Sequence, residues 1–146
     1  MTKADNEQII VVCYANFCRS PVAEYLLKQR FGDNYRFISA GLNPMKTSGM
    51  HTLSEKFLNY KKIENILHIP RTITTDQVKI SKLILAADQN ILMELNKRFP
   101  RHKDRIRALN FRSPKHHVFD PIQMCEEKYM KVMQNIQIIV DEIIFD

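Results

Sequence analysis

An apolar, β-branched run, Ile9-Ile10-Val11-Val12, passes without a break into Cys13-Tyr14-Ala15-Asn16-Phe17-Cys18-Arg19, and Ser20-Pro21 follows. The run predicts a buried strand, over about Gln8 to Val12. Ser20-Pro21 predicts a helix start, with Pro21 at the first helical position, where a missing N–H costs nothing. A tight loop between such a strand and such a helix suits a tetrahedral dianion. Its backbone N–H groups can line a nest, the helix N-terminus adds partial positive charge, and Arg19 offers a planar fork to phosphate oxygens. The same field favours the thiolate of Cys13, to which Ser20 could donate its hydroxyl.

The rest of the chain alternates between strand and helix patterns. A helix is expected over about Ser20–Phe31, stopped by Gly32-Asp33-Asn34, and a second strand over Tyr35–Ala40. A loop carrying Pro44 then leads to a helix over about Gly49–Lys61. Thr74 or Thr75 can cap a short helix ending at Ile80, and Leu83-Ile84-Leu85-Ala86 marks a third strand over Lys82–Ala87. Asp88 is placed to cap a helix over Gln89–Phe99, and Arg105–Asn110 is a short fourth strand. Met124–Phe145 carries apolar residues at three and four spacing, a long amphipathic helix. This alternation predicts an α/β fold: a single domain, residues 1–146, with a four-stranded parallel sheet and helices on both faces. Ligands in such sheets bind beyond the carboxyl ends of the strands, where Cys13, Ser39 and Asp88 all fall.

Cys13 to Pro21 resembles the motif of the low-molecular-weight protein tyrosine phosphatases, usually Cys-x-Gly-Asn-x-Cys-Arg-Ser-Pro. Phe119-Asp120-Pro121 resembles the family's general-acid loop. Ser39-Ala40-Gly41, His68 with Arg71, and Asp88 with Asn90 follow the family's order and approximate spacing. The resemblance implies that Cys13 is a nucleophile forming a phosphocysteine, that Arg19 binds the phosphoryl oxygens, and that Asp120 is general acid and then general base. It implies substrate contacts from Tyr14, Ala15, Asn16, Phe17, Cys18, Ser20 and Met45, and support of the loop from Asn16, Ser39 and His68. It also implies a reversible Cys13–Cys18 disulfide that protects the nucleophile, Cys18 being the redox partner. The chain departs from the pattern at Ala15, where glycine is usual, and at Ile122-Gln123, where tyrosines often wall the phosphotyrosine slot. Tyr14 and Met45 are expected to replace that wall.

Composition narrows the remaining choices. Three cysteines without a framework of spacings argue against a secreted disulfide scaffold, and no apolar run approaches the ~20 residues of a membrane span, so a cytoplasmic protein without membrane insertion is expected. A metal at Cys13 and Cys18 would need further ligands, and only Cys125 and scattered histidines remain, so neither metal nor cofactor is expected. The net charge of +6 is concentrated between Lys97 and His117, where eight Lys and Arg face Asp104 alone. Such a segment steers acidic partners, and the absence of an aromatic stacking platform speaks against nucleic acid.

The implied partner is a tyrosine-phosphorylated protein, bound by a monomer or weak oligomer. Two other activities fit this type of fold. An arsenate reductase of the thioredoxin-linked type would add a redox cysteine pair near the third strand, and Lys82–Phe99 has no cysteine. A phosphate-dependent binding module with weak turnover is suggested by the two departures. Arginine-phosphate phosphatases of the same family carry a small Thr where Phe17 stands, and a bulky apolar residue fits tyrosine better.

Overall fold

The first strand, β1 (Gln8–Cys13), is buried along its whole length because it is flanked on both edges and covered on both faces. The computed structural model describes residues 6–145; the ends of the expected domain, residues 1–5 and 146, lie outside the described residues. Around β1 stand β2 (Arg36–Gly41), β3 (Ser81–Ala86) and β4 (Ile106–Ala108), all parallel, in the order β2-β1-β3-β4.

Alternate residues of the strands feed two cores. Ile9 and Val11, with Phe37 and Leu85, pack against α1 (Ser20–Phe31), α2 (Thr52–Tyr60) and α5 (Glu126–Glu142). Ile10 and Val12, with Ala40, Ile84 and Ala86, pack against α3 (Thr75–Ile80) and α4 (Gln89–Arg98). With both faces covered, the strands read as continuous apolar runs rather than alternating ones. Truncating Ile9 to alanine would cost about 2–5 kcal/mol through lost burial and a residual cavity.

Helix ends follow local chemistry. Pro21 sits at the second position of α1 rather than the first, still within the turn whose N–H groups lack helical partners. The second helix begins three residues later than expected. Gly49 has φ +86° and donates to the His68 carbonyl, and His51 Nδ1 caps the helix by accepting from the Leu53 N–H at 3.0 Å. Thr74 and Gln77 close a reciprocal capping box on α3, and Asp88 caps α4 through the Ile91 N–H at 2.8 Å.

Two elements are shorter than the sequence suggests. β4 keeps only three residues because Arg105 turns its guanidinium back onto the carbonyls of Val78 and Ser81. α5 stops at Glu142, where Arg30 takes the Val140 and Ile143 carbonyls and Phe145 folds into the ring cluster of Phe31, Tyr35 and Phe37. Among the described residues no helix is long and apolar enough to cross a membrane.

Candidate active site

The loop between β1 and α1 is shaped by its carbonyls. Cys13 O accepts from Leu42 N–H, Tyr14 O from Asn43 N–H, Ala15 O from Met45 N–H and Phe17 O from His51 N–H. Asn16 O meets His68 Nε2 at 2.8 Å, and Cys18 O accepts from Ser54 Oγ at 2.8 Å. In a trans peptide each outward carbonyl turns the next N–H the opposite way, so the chain presents its N–H groups to the hollow of the loop.

Asn16 takes the left-handed conformation this turn requires, with φ 50°. Ala15 is not in the positive-φ region, so the methyl group at the position where glycine is usual costs no backbone strain. The glycine that the loop does require is Gly41 on the neighbouring strand. A Cβ there would lie 2.7 Å from Tyr14 O and 2.8 Å from Asn16 N.

Beneath the loop a chain of hydrogen bonds has a fixed direction. Asn16 Oδ1 accepts from the Arg71 N–H at 3.0 Å, so its Nδ2 must donate, and it does so to Ser20 Oγ at 2.8 Å and Ser39 Oγ at 3.0 Å. Ser39 passes its own proton to Glu24 Oε1 at 2.6 Å, and Glu24 is held from the other side by Lys28 at 2.6 Å. Ser20 Oγ, already an acceptor, has its proton left for Cys13 Sγ, 3.0 Å away; the alternative acceptor, Ala40 O, is at 3.4 Å. The arrangement ends on the Cys13 sulfur as acceptor of the Ser20 proton.

Arg19 is 3% exposed, and its Nη1 is fixed by Asp88 Oδ2 at 2.7 Å and the Val118 carbonyl at 3.0 Å. Asp88 thus does two jobs, capping α4 with one oxygen and bracing Arg19 with the other. Cys13, Arg19 and Asp120 line one cavity of about 230 Å³, together with Tyr14, Ala15, Cys18, Met45 and Ile122. Asp120 is exposed, and its Oδ1 accepts from the Ile122 N–H at 3.2 Å, a turn contact that leaves the second oxygen available. Tyr14 and Met45 line the cavity, the Tyr14 hydroxyl accepting from Asn43 Nδ2 at 3.1 Å. Ile122 joins them, whereas Gln123 is not among the lining residues.

The side chains of the remaining expected substrate contacts point away from the cavity. Asn16 and Ser20 point their side chains beneath the loop, and Phe17 packs its ring against His51, with centroids 5.6 Å apart, outside the cavity lining. Ser39 and His68 occupy the buttressing positions expected of them. Sequence reasoning missed Glu24, Tyr129 and Ser54, and did not pair Asp88 with Arg19. A carboxylate four residues after Ser20, among the apolar residues of α1, was the available signal for Glu24.

Cys18 has a different setting from Cys13. Ser54 Oγ donates to Cys18 O at 2.8 Å and lies 2.6 Å from the Tyr129 hydroxyl, which also sits beside the Cys18 thiol. Burial pushes the Cys18 thiol up from 9.0 to about 11 and raises Tyr129 as well.

The family model for low molecular weight phosphotyrosine protein phosphatase matches residues 8–144. A low molecular weight protein-tyrosine-phosphatase of Acinetobacter johnsonii is 32% identical over 94 residues, which is 64% of this chain and 66% of that one, just under two thirds of its length. The arginine phosphatase YwlE from Geobacillus stearothermophilus superposes with a TM-score of 0.85 at 25% identity, covering 93% of this chain and 89% of its own. The tyrosine phosphatase AmsI of Erwinia amylovora shares the fold with a TM-score of 0.87 at 22% identity, over 94% of this chain and 90% of its own. With the motif loop, the parallel sheet and a family match spanning all but the ends, the chain belongs to the low molecular weight phosphotyrosine protein phosphatase family.

Proposed function

We propose that this protein is a protein-tyrosine phosphatase that hydrolyses phosphotyrosine in proteins through a phosphocysteine intermediate. The observation that carries the reading is the directed chain ending in Ser20 Oγ and Cys13 Sγ, in the cavity that Arg19 and Asp120 also line. The Cys13 thiolate attacks phosphorus in line with the ester oxygen. The P–O bond breaks as the S–P bond forms, and Asp120, carrying a proton, gives it to the leaving phenolate. Arg19 and the loop N–H groups hold the equatorial oxygens, whose charge is spread in the transition state. Asp120, now a carboxylate, takes a proton from water as that water attacks phosphorus. The S–P bond breaks, and inorganic phosphate leaves with the thiolate restored.

Under peroxide, Cys13 is oxidised to a sulfenic acid, and the Cys18 thiolate displaces hydroxide from it to close a disulfide. Residues 1–146 act as one domain in a reducing compartment, the cytoplasm, consistent with three free cysteines among the described residues.

A second substrate, phosphoarginine, is favoured by the likeness to the arginine phosphatase YwlE. The Phe17 ring, directed at His51, does not discriminate between the two from within the cavity. The wall of Tyr14, Met45 and Ile122 favours an aryl group, which gains aromatic and apolar contact there. Purified protein assayed against phosphotyrosine and phosphoarginine peptides tests the choice. Higher kcat/KM on phosphotyrosine is expected, and a preference for phosphoarginine would reverse it.

A further inference from the structure

The basic segment found in the sequence takes a defined path in the fold. Lys97 lies in the last turn of α4, Arg101 and Lys103 lie in the 3-10 turn Pro100–Arg105, Arg107 lies on β4, and Lys115 lies in the turns before Val118. β4 is an edge strand, and these exposed cations flank it at this rim of the sheet: Arg107, opposite Leu85, lies on the side of α5, and Lys97 lies on α4 on the other face. The rim finishes at the active site, because Val118 O holds Arg19 and Asp120 lines the catalytic cavity.

Much of the charge in this segment is already used. Arg98 pairs with Glu94, Arg105 is committed to the carbonyls of Val78 and Ser81, and Asp104 offsets one cation. Among the described residues Lys97, Arg101, Lys103, Arg107 and Lys115 make no ion pair. Unpaired cations at one edge repel one another, a cost that an anionic partner relieves. Beside Arg107 lies a cleft of about 150 Å³, lined also by Lys82, Asp104 and Arg105 and by apolar side chains.

We propose that this rim is a docking track for an acidic stretch of the phosphorylated polypeptide, remote from the phosphorylated residue; the proposal rests on the phosphatase reading above. Two features favour a polypeptide over other polyanions. The track is a strand edge leading into the phosphate site, so one extended chain satisfies both ends. Its aromatic residue, Phe111, lies within reach of the Arg107 and Arg112 guanidiniums, 5.5 and 5.4 Å from the ring centroid, and is not set out as a stacking platform for bases.

The spacing follows from the sheet. Arg105 binds at the level of Ser81 and Arg19 at the level of Asp88, a rise of roughly 23 Å at about 3.3 Å per residue. An extended peptide covers that distance in roughly seven residues, so the acidic residues belong about five to eight positions from the phosphotyrosine.

The test compares two phosphotyrosine peptides, one with a glutamate cluster at that distance and one with glutamines there. Phenyl phosphate turnover reports catalysis alone, and fluorescence anisotropy of the unphosphorylated peptides reports docking alone. In wild type at low ionic strength the acidic peptide should have about tenfold higher kcat/KM, through KM, an advantage removed by high salt. The variants R101E/K103E/R107E and, with milder changes, K97A/R101A/K103A should lose that advantage and keep phenyl phosphate turnover. Equal efficiency of the two peptides in wild type, or an undiminished advantage in both variants, would overturn the docking track. So would tight binding of single-stranded RNA or anionic vesicles by the rim with no peptide preference. A wild type that binds the acidic peptide yet turns over no phenyl phosphate would instead overturn the phosphatase reading and leave the docking standing.

Discussion

Cys13 and Cys18 sit five residues apart in one loop, both buried and both lining one cavity, yet the protein treats them oppositely. Under Cys13 the proton donors point inward. A buried carboxylate, Glu24, draws the proton of Ser39, Asn16 must donate upward, and Ser20 is left donating to sulfur. Beside Cys18 the nearest hydroxyl serves the backbone, Ser54 donating to the Cys18 carbonyl, and burial raises the thiol to about 11, so that it keeps its proton. Burial alone therefore does not decide what a cysteine becomes. The side-chain hydrogen bonds differ as well: Ser20 meets the Cys13 sulfur, and the Arg71 N–H sets the direction of that chain by fixing the Asn16 amide.

The largest effect that breaks this comparison comes from the proposed nucleophile. Cys13→Ser should lower kcat by about 10⁶ while vanadate binding persists, since Arg19 and the loop remain; Cys18→Ser should leave steady-state turnover within a few-fold. Next, Asp120→Ala should slow hydrolysis of phosphotyrosine by about 10² to 10⁴, and less for aryl phosphates with activated leaving groups. Equal losses on both would reduce Asp120 to its turn contact with Ile122. Ser20→Ala removes one hydrogen bond to a charged sulfur, worth about 1.5–3 kcal/mol, and should cost roughly 10- to 150-fold in kcat/KM with vanadate affinity retained.

Cys18 gives a pH signature. With its thiol at about 11, roughly one part in 10⁴ is thiolate at pH 7, so disulfide closure after peroxide should quicken about tenfold per pH unit, followed by mass spectrometry of alkylated protein. Because that value lies above the ordinary 9.0, the stability gained by keeping Cys18 protonated is complete below about pH 9 and is lost as pH climbs towards about 11. The smallest effect concerns the slot wall. Ile122→Tyr should raise the ratio of aryl to alkyl phosphate efficiency by about threefold to tenfold, from aromatic contact worth roughly 0.5–1.5 kcal/mol.

The sequence carried the sheet because each strand is buried on both faces, and such runs as Ile9–Val12 and Leu83–Ala86 have few other uses. It carried the loop because Cys13, Arg19, Ser20 and Pro21 are close in sequence and each constrains the others. The supporting contacts were harder to read, since they are long-range. The partner of Arg19 is Asp88, 69 residues away, and Tyr129 meets Ser54 across 75 residues. Helix ends were misjudged where a side chain outcompeted the periodic pattern, as His51 does at the start of α2 and Arg30 does at the end of α5. The direction of the Phe17 ring was not legible because a loop residue's ring is set by what it packs on, here His51, and not by its position in the motif.

The central claim is that the sulfur made an acceptor by Ser20 is the atom that takes the phosphoryl group. Asp120→Ala protein, mixed with an activated aryl phosphate and quenched within the first turnover, should carry a phosphoryl adduct on the peptide containing Cys13, with the adduct absent when Cys13 is also changed to serine or blocked by alkylation. An adduct on any other residue, or first-turnover release of phosphate by protein lacking the Cys13 thiol, would contradict it.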